Sequence, residues 1–492
     1  MIKKILLISP PNTISADSVR RLSTPLGILY IAAVLEKDYE VKVIDSACEG
    51  YHNYYFDESK KYLTYGLSDA ELKAKMAEFQ PDIVGVGCLF SARKTNVLNV
   101  CRLAKEACPD AKVVVGGLHP SFFPDEMLGS RVVDYVIMGE GEFRFKRLIE
   151  NLNAGVDPDF DGVAYIRGKA TLVRPMTTKI ENLDSLPFPA RHLVDMEKYI
   201  KIGVPFAPFS RRDRVEGILT SRGCPFRCNF CASVNYWGRL FRIRSVDNII
   251  AEIKELIEKY GIQEIQFADD NLTANRAHAR EFFQKLKGLN VSWCAANGLN
   301  ISTLDEEMMK SIAESGAYQV TFAVESGSER VLKEIMHKLI PPMEKVKKLV
   351  EAAQKNGVQV HATFVVGSPG ETKEEIMATL DYPFKVGFDS VSFFVASPIP
   401  GSQLYDYCKK KNYLPPGFDI EKMDFKSTNI VIPKDSPDYT IDPQELAQLV
   451  ERKTKEFNEF SKKRNPKGWD EKFKKFLEKH PDDGDVILGR VT

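Results

Sequence analysis

Three cysteines lie close together near the middle of the chain, at Cys224, Cys228 and Cys231. Structural zinc sites use four ligands, often as two separated cysteine pairs, and no second pair follows this group at a suitable distance. Ordinary four-iron clusters take four cysteine thiolates. Three cysteines without a nearby fourth therefore indicate a 4Fe-4S cluster with one iron left open to a small molecule. The other six of the nine cysteines are scattered singly, as is typical of buried core cysteines.

The same loop carries an aromatic residue, Phe230, directly before its last cysteine. The spacing Cys-x3-Cys-x2-Cys with this aromatic residue resembles that of the radical S-adenosylmethionine (SAM) enzymes. The resemblance implies that SAM binds the open iron through its amino and carboxylate groups. It also implies that one electron from the cluster cleaves SAM to a 5′-deoxyadenosyl radical. A flavodoxin or a ferredoxin is then the expected electron donor.

Composition narrows the class of protein. The chain has 492 residues, of which 43% are hydrophobic, enough for about two to four domains with cores of their own. Its 68 basic residues equal its 68 acidic residues, so no electrostatic surface for nucleic acid is expected. No run reaches the ~18 apolar residues of a membrane span. The apolar start is too short for an export signal, and the odd cysteine count fits a reducing compartment, so we expect a cytoplasmic protein.

Residues 1–152 alternate short apolar runs with amphipathic helical stretches. Strands are expected at 4–9, 40–45, 83–87, 112–116 and 135–138, and helices at 25–35, 68–78, 94–107 and 141–152. This alternation predicts an α/β fold with an open, mostly parallel, doubly wound sheet of the Rossmann-like type. In such sheets ligands bind at the carboxyl ends of the strands.

Those strand ends resemble the cobalamin-binding domain that is fused to some radical SAM enzymes. The resemblance rests on the runs 113–117 (Val-Val-Val-Gly-Gly) and 135–140 (Tyr-Val-Ile-Met-Gly-Glu). It implies cobalamin contacts from the following residues: Ser9, Pro10, Asn12, Gly87, Cys88, Leu89, Ser91, Gly116, Gly117, Gly139 and Glu140. The alternative is a domain of the same fold that binds no corrinoid.

One element of the cobalamin-binding pattern is absent. The Asp-x-His-x-x-Gly loop, which supplies a lower axial histidine to cobalt in methionine synthase, does not follow the first strand. We therefore expect no histidine ligand on cobalt at that position. His119 lies at the same sheet edge, and we interpret it as structural.

Residues 153–213 form a predicted linker with a hairpin that turns at Gly168, followed by a proline-rich strap. Residues 214–404 then show six strand and helix units. Strands are expected at 217–221, 264–268, 291–296, 319–325, 359–366 and 390–396. This pattern predicts a partial (β/α)6 barrel with its active site at the carboxyl ends of the strands, where the cysteine loop also lies.

The residues after these strands match the SAM contacts of the radical SAM barrel. The resemblance implies that the following residues bind SAM: Phe230, Asp269, Asp270, Asn297, Glu325, Ser326 and Gly367. A cation with a ribose, an adenine and an amino acid end suits carboxylates, amides and close glycine backbone. Asp269 and Asp270 have an alternative role as acids at a helix start, and for Glu371 that structural role is the preferred interpretation.

Two regions keep alternative interpretations. The run 236–244, with Tyr236, Trp237 and three arginines, predicts either a cover for the cluster or an anion contact. Residues 405–492 form a predicted helical region, in which Asp442 and Pro443 mark one helix start and 469–477 is a further amphipathic piece. That region either shapes substrate access or buttresses the barrel.

Together these features identify the chain as a member of the cobalamin-dependent (class B) radical SAM enzymes. The resemblance implies methylation of an unactivated carbon in a small-molecule, lipid or natural-product intermediate, with a 4Fe-4S cluster, SAM and cobalamin as cofactors. One alternative is a radical cyclisation, rearrangement or ring contraction without methyl transfer. An alternative of another class is a non-catalytic corrinoid or iron–sulfur carrier, which would not need the SAM-like strand ends.

Overall fold

The structure is a computed structural model that describes residues 1–465 except 17, 204–205, 208–209, 339, 424 and 427. The chain divides into two compact units. The first unit comprises Met1–Ser18, Leu22–Tyr199 and Ile420–Lys422, and the second comprises Val19–Arg21, Ile200–Asp419 and the residues from Met423 onward. An amphipathic piece expected at 469–477 lies outside the described residues. No helix among the described residues is long and apolar enough to cross a membrane.

The first unit is built on a largely parallel sheet. Its strands are β1 (Lys4–Ser9), β2 (Asn12–Ser15), β3 (Glu40–Asp45), β4 (Tyr54–Phe56), β5 (Tyr62–Tyr65), β6 (Ile83–Gly87), β7 (Lys112–Gly116), β8 (Tyr135–Ile137), β9 (Val163–Arg167) and β10 (Ala170–Val173). Its helices are α1 (Leu26–Leu35), α2 (Ser46–Glu49), α3 (Asp69–Phe79), α4 (Lys94–Ala107), α5 (Leu118–Phe122), α6 (Pro124–Gly129), α7 (Glu142–Asn153) and α8 (Met196–Ile202), the last running into the second unit.

Seven of these strands form one sheet in the order β10-β9-β8-β7-β6-β1-β3. The five strands from β8 to β3 are parallel, and their apolar runs are buried on both faces, as in Ile5–Ile8. Helices pack on both sides of the sheet in two separate apolar layers. The predicted doubly wound, Rossmann-like fold is confirmed.

Two features of the first unit differ from the expectation. The predicted linker hairpin is not a free connection: β9 pairs antiparallel with β8, Tyr165 opposite Tyr135, and so covers the edge of the parallel sheet. Sequence alone shows a hairpin but not the strand beside which it lies. A small sheet in the order β2-β5-β4 was also not expected, because its strands are short and Asn12–Ser15 has the composition of a loop.

The second unit is an open parallel barrel. Its strands are β11 (Val215–Ile218), β12 (Ser221–Arg222), β13 (Arg242–Ile243), β14 (Glu264–Phe267), β15 (Ser292–Leu299), β16 (Ala317–Glu325), β17 (Gln359–Val366) and β18 (Ser390–Val395). Its helices are α9 (Ser233–Trp237), α10 (Val246–Tyr260), α11 (Arg276–Leu286), α12 (Glu306–Glu314), α13 (Met343–Lys355), α14 (Lys373–Val386), α15 (Gln403–Lys410) and α16 (Pro443–Arg464), with a π-helical turn at Val331–Ile335.

Six of these strands pair in the order β11-β14-β15-β16-β17-β18, all parallel. Strands β11 and β18 are the two ends of this order, so the barrel is partial, as predicted. The interior receives the chain that precedes β11. Phe206 packs against Gly217, where an added Cβ would lie 2.3 Å from its ring, and the Ala207 amide donates to the Gln266 side chain at 2.8 Å.

Helix α16 packs against the last strand and against α14. Asp442 caps it by accepting from the amide of Gln444 at 2.9 Å, and Pro443 occupies its first position, as expected. Its apolar face, which includes Leu446 and Phe457, belongs to the core of the second unit. The hydroxyl of Ser461 also donates to the Asp389 carbonyl at 2.5 Å. The helix is therefore a buttress of the barrel.

Removal of a buried side chain of α16 should destabilise the second unit. Phe457 is fully buried and contacts the rings of Phe384 and Phe460. We expect Phe457→Ala to lower the free energy of unfolding by about 3–5 kcal/mol, because it leaves a cavity in the core. The measurement is denaturant unfolding. The matched control is Phe425→Ala, whose side chain is exposed; an equal loss in both variants would contradict the buttress.

Candidate functional site

The cysteine loop begins where a short antiparallel ribbon ends. Strand β12 pairs with β13, Arg222 opposite Arg242, and the loop starts at the next residue, Gly223. Gly223 has a φ of 88°, and an added Cβ would lie 2.1 Å from the Leu240 carbonyl oxygen. Only glycine fits this close approach, so the ribbon fixes the direction in which the loop leaves the barrel.

The far side of the loop is fixed by two backbone hydrogen bonds at one residue. The amide of Asn229 donates to the carbonyl of Met336 at 3.1 Å, and its carbonyl accepts from the amide of Leu404 at 2.9 Å. Phe230 packs into the two small apolar clusters around these partners. The loop is thus tied to the segment after β16 and to the start of α15.

The three cysteine thiols differ from most other cysteines in the chain. Cys224, Cys228 and Cys231 are free and only partly buried, whereas five of the remaining six are buried. Burial raises the pKa of all three thiols, that of Cys228 to about 11. Lys338 acts in the opposite direction on the Cys228 pKa. A positive charge next to these thiols favours the thiolate form that iron requires.

The chemistry of these thiols fits the predicted cluster. Cys224, Cys228 and Cys231 are free, partly buried and carried by one short loop. Cysteine thiolates are the usual protein ligands of 4Fe-4S clusters, and three of them leave one iron open.

A buried ion pair lies beside the cysteine loop. Lys338 Nζ is 3.0 Å from Glu325 Oε1, and the two side chains are only 6% and 9% exposed. The pKa of Lys338 is raised because the attraction of Glu325 and Cys228 outweighs burial, although burial is the largest single cause and acts to lower it. Glu325 itself has a left-handed backbone, with φ at 71°, where β16 ends. The predicted ligand Glu325 is thus at the strand end, but with a cationic partner.

Sequence reasoning missed Lys338. It lies just beyond the π-helical turn at Val331–Ile335, and its amide donates to the Leu332 carbonyl at 2.7 Å. Such turns occur often at functional sites, but their position is not readable from residue types. In a sequence rich in charged residues, a single lysine does not indicate a functional site.

The two predicted aspartates after β14 take different roles. Asp269 is buried, and its carboxylate accepts from the amide and hydroxyl of Thr220 and from the hydroxyl of Ser221. It therefore joins β14 to the end of β11, and its predicted role as a SAM contact stays a prediction. Asp270 is exposed, accepts from Ser233 at 3.1 Å, and lies near Cys224. Although the residue as a whole is exposed, desolvation raises the pKa of its carboxyl, which also accepts from the Trp237 side chain and the Gly223 amide.

The other predicted SAM contacts also divide by exposure. Asn297 is exposed and donates to the Ala268 carbonyl at 2.9 Å, which places it beside the end of β14. Ser326 is fully buried, and its hydroxyl lies 2.9 Å from that of Thr379. The hydroxyl is engaged inside the protein, and the predicted role of Ser326 in SAM binding stays a prediction.

Gly367 has a structural reason to be glycine. Its φ is 81°, and an added Cβ would lie 2.5 Å from Leu446 on α16. Its amide and that of Ser368 donate to Glu371 Oε2 at 2.7 and 3.0 Å. Glu371 is buried, which raises its pKa to about 8, and Thr372 rather than Glu371 caps α14. The preferred structural role of Glu371 holds, although it closes the loop and does not cap the helix.

The basic and aromatic run after the cysteine loop is mostly structural. Arg244 pairs with Glu252 in the core and donates to the Leu219 carbonyl. Arg242 lies over the Trp237 ring, with its guanidinium carbon 5.4 Å from the ring centroid. Arg239 is exposed.

In the first unit, the glycine-bearing strand ends line up as predicted. Gly87 on β6 is opposite Gly116 on β7 in the sheet register. Gly117 has a φ of 111°, and an added Cβ would lie 2.4 Å from the Cys88 carbonyl oxygen. At Gly117 the chain itself therefore requires glycine, whatever ligand binds. Beyond these strand ends Leu89 is 58% exposed.

Several side chains of the predicted cobalamin set are used within the protein. Glu140 accepts from the amide of Ile180 at 2.8 Å, and Asn12 donates to Tyr65 at 3.0 Å. Cys88 is fully buried, and burial raises the pKa of its thiol to about 12. Other members lie at the same edge: Ser9 ends β1, Pro10 follows it, and Gly139 follows β8 with φ at 72°. These side chains hold the strand ends in place.

His119 is buried and contacts Ser91, with 3.0 Å between Nδ1 and the hydroxyl oxygen. Burial lowers its pKa to about 4, so the imidazole is neutral. Its ring packs against that of Phe123. These contacts support the interpretation of His119 as structural.

Two family models match the chain, one in each unit. The B12 binding domain model matches residues 13–149, and the Radical SAM superfamily model matches residues 218–382. The first match ends before the hairpin, and the second begins at the last residue of β11.

Relatives of known name resemble nearly the whole chain. Cytidylyl-2-hydroxyethylphosphonate methyltransferase of Streptomyces wedmorensis is 38% identical over 486 residues, 93% of this chain and 90% of the relative. An uncharacterized methyltransferase of Pyrococcus horikoshii is 33% identical, and the match covers 84% of each protein. The solved structure of the radical SAM methyltransferase TsrM from Kitasatospora setae shares the fold, with a TM-score of 0.66 at 18% identity over 84% of this chain and 77% of that one. The chain therefore belongs to the cobalamin-dependent radical SAM enzymes, whose cofactors are a 4Fe-4S cluster, SAM and cobalamin.

Proposed function

We propose that the enzyme transfers a methyl group to an unactivated carbon atom of a small-molecule substrate. The observation that carries the proposal is the likeness, over 93% of the chain, to the Streptomyces relative, whose name describes a methyl transfer. The exposed cysteine loop and the exposed strand ends of the first unit support it, because methyl transfer of this kind needs both a SAM site and a corrinoid site.

The bound cofactors supply hydrogen abstraction and the methyl group, and the protein supplies binding, orientation and exclusion of water. In this proposal Cys224, Cys228 and Cys231 ligate the cluster. The carboxylate of Asp270 accepts the SAM ammonium, and the backbone of Phe230 meets the adenine.

Glu325 has a second part in the proposed SAM site. Its Oε1 is held by Lys338, and Oε2 has no hydrogen-bond partner among the described residues. That oxygen is therefore available to accept from a ribose hydroxyl. Because the ion pair is buried and fixed, the acceptor is oriented before SAM arrives, which lowers the entropy cost of binding.

The proposed corrinoid contacts in the first unit include exposed apolar side chains as well as backbone groups. Leu89 and Phe90 are 58% and 52% exposed, directly after β6. Large apolar side chains at a sheet's ligand-binding edge are typical of a surface that a bound ligand covers. They complement the glycines of the neighbouring strand ends, which admit close approach of the backbone.

The cysteine assignment predicts a specific pattern of iron loss. Cys224→Ala, Cys228→Ala and Cys231→Ala should each prevent assembly of a cluster of about four irons and abolish SAM cleavage, since a thiolate ligand is lost. Iron analysis and absorption spectra after anaerobic reconstitution measure this. Cys101→Ala is the control, because Cys101 is fully buried in the core of the first unit. A complete, SAM-responsive cluster in the triple variant would end the assignment.

If the exposed strand ends of the first unit bind cobalamin, a charge introduced there should weaken cobalamin binding. Leu89→Glu should weaken cobalamin binding about tenfold to a hundredfold, because burial of a leucine contributes about 1.5–3 kcal/mol. Val156→Glu is the control, since Val156 is equally exposed elsewhere in the unit. Equilibrium dialysis measures the affinity.

The same preparations test the axial ligand. His119→Ala should leave the cobalt spectrum unchanged; loss of a nitrogen coupling in that variant would show that His119 binds cobalt. Failure of the wild-type protein to take up cobalamin would favour a domain that binds no corrinoid.

The reaction predicts two products from SAM. With cobalamin, a reductant and substrate, the enzyme should release S-adenosylhomocysteine and 5′-deoxyadenosine in comparable amounts. The first substrate to test is the compound that the name of the Streptomyces relative specifies. Chromatography of products from methyl-labelled SAM is the measurement. If deoxyadenosine forms only with substrate but no labelled methyl group reaches the product, the reaction is a radical rearrangement or cyclisation and not a methyl transfer. If neither product forms, the protein is a carrier.

A further inference from the structure

Next to the cysteine loop, the second unit has an open cavity of about 490 Å³ with a strongly basic lining. Its lining residues are Arg227, Val234, Arg239, Lys333, His337 and Gln403. Three are permanent cations and one is a histidine, and no acidic side chain belongs to the set. In a chain with equal numbers of acidic and basic residues, this is a local excess of positive charge.

The three cations of this cavity have no ion-pair partner among the described residues. The acid nearest to them in sequence, Glu334, lies 3.9 Å from Arg330 and belongs to a different ion pair. Lysine and arginine side chains left exposed and unpaired together repel one another, so the arrangement costs stability unless an anionic surface meets it.

Three of the six lining residues lie in the cysteine loop or next to a residue that is hydrogen-bonded to it. Arg227 precedes Cys228 directly. His337 follows Met336, whose carbonyl accepts from Asn229, and Gln403 precedes Leu404, whose amide donates to Asn229. A molecule over this cavity is therefore adjacent to the cysteines.

We propose that this basic surface is the docking site of a small acidic electron-donor protein that carries a flavin or an iron–sulfur centre. The inference rests on the proposed function in so far as SAM cleavage needs a reductant. In the encounter the donor protein is oxidised by one electron, and the cofactor held by the cysteine loop is reduced by the same electron. Electron tunnelling falls steeply with distance, which favours the surface nearest the cysteines.

Charge and shape favour a protein over a small anion. The four basic side chains are exposed and line an open cavity, whereas small-molecule sites bury most of their ligand. Complementary charge across a surface mainly accelerates association and fixes orientation, which suits a transient electron-transfer complex.

The test uses reconstituted holoenzyme and a recombinant bacterial flavodoxin, with binding followed by biolayer interferometry. The triple variant Arg227→Glu, Arg239→Glu and Lys333→Glu should raise the Kd by about tenfold or more at low salt, and the wild-type affinity should fall between about 0.05 and 0.5 M salt. The matched control, Lys254→Glu, Lys347→Glu and Lys348→Glu, makes the same change of charge on exposed lysines of α10 and α13 and should bind as wild type does. The single variant Arg239→Glu should show a smaller change in the same direction if the triple variant does not fold.

A second measurement separates a donor surface from a substrate site. SAM cleavage without substrate is driven by flavodoxin or by dithionite; the triple variant should lose the first rate and keep the second. Equal weakening in the control variant, or unchanged flavodoxin binding in the triple variant, would overturn the proposal. A raised KM for substrate with dithionite, at unchanged flavodoxin affinity, would assign the cavity to an anionic small molecule instead. Binding and cleavage without substrate do not depend on methyl transfer, so failure of the methyltransferase proposal leaves this test intact.

Discussion

Parallel strand pairing is the constraint on which the rest of each unit depends. A parallel pair needs a crossover helix, so every strand in such a sheet ends at the same edge. In the second unit this rule brings Asp270, Asn297 and Glu325, which are separated by up to 55 residues in sequence, to one rim together with the cysteine loop. In the first unit it aligns Gly87 with Gly116. Parallel backbone pairing in each sheet thus places the candidate site residues at one edge of that sheet.

Parallel sheets also leave edges that must be covered, and the two units solve this differently. The first adds the antiparallel hairpin β9–β10 beside β8, and in the second the Val395 amide of β18 donates to the Phe425 carbonyl of the chain that follows the barrel. Neither solution takes part in the proposed chemistry. Both are nevertheless needed, because an exposed edge strand would expose backbone groups and pair with other chains.

Strong periodic patterns made most of the fold predictable from sequence. Strand 359–366 and helix 94–107 have the predicted bounds, because each is a long run with clear turn signals at both ends. The small sheet that contains Asn12–Ser15 was missed since its strands are short and polar. At the site, residue type identified the cysteines but not which polar residues are free: Asp269 and Ser326 look like ligands, yet their side chains bond within the protein. The place of Lys338 in the site was not predictable, because it depends on the π-helical turn that precedes it.

Leu446 of α16 lies directly against Gly367, in the loop after β17. The glycine loop after β17 lies at the proposed cofactor site, and Leu446 is in the first turns of the C-terminal helix. A ligand that orders this loop therefore also stabilises the packing of α16 against it. By the same free energy, loss of that packing weakens binding of the ligand. Local unfolding of α16 is in this way coupled to cofactor occupancy, and the proteolytic susceptibility of α16 depends on the bound cofactor as well as on the fold.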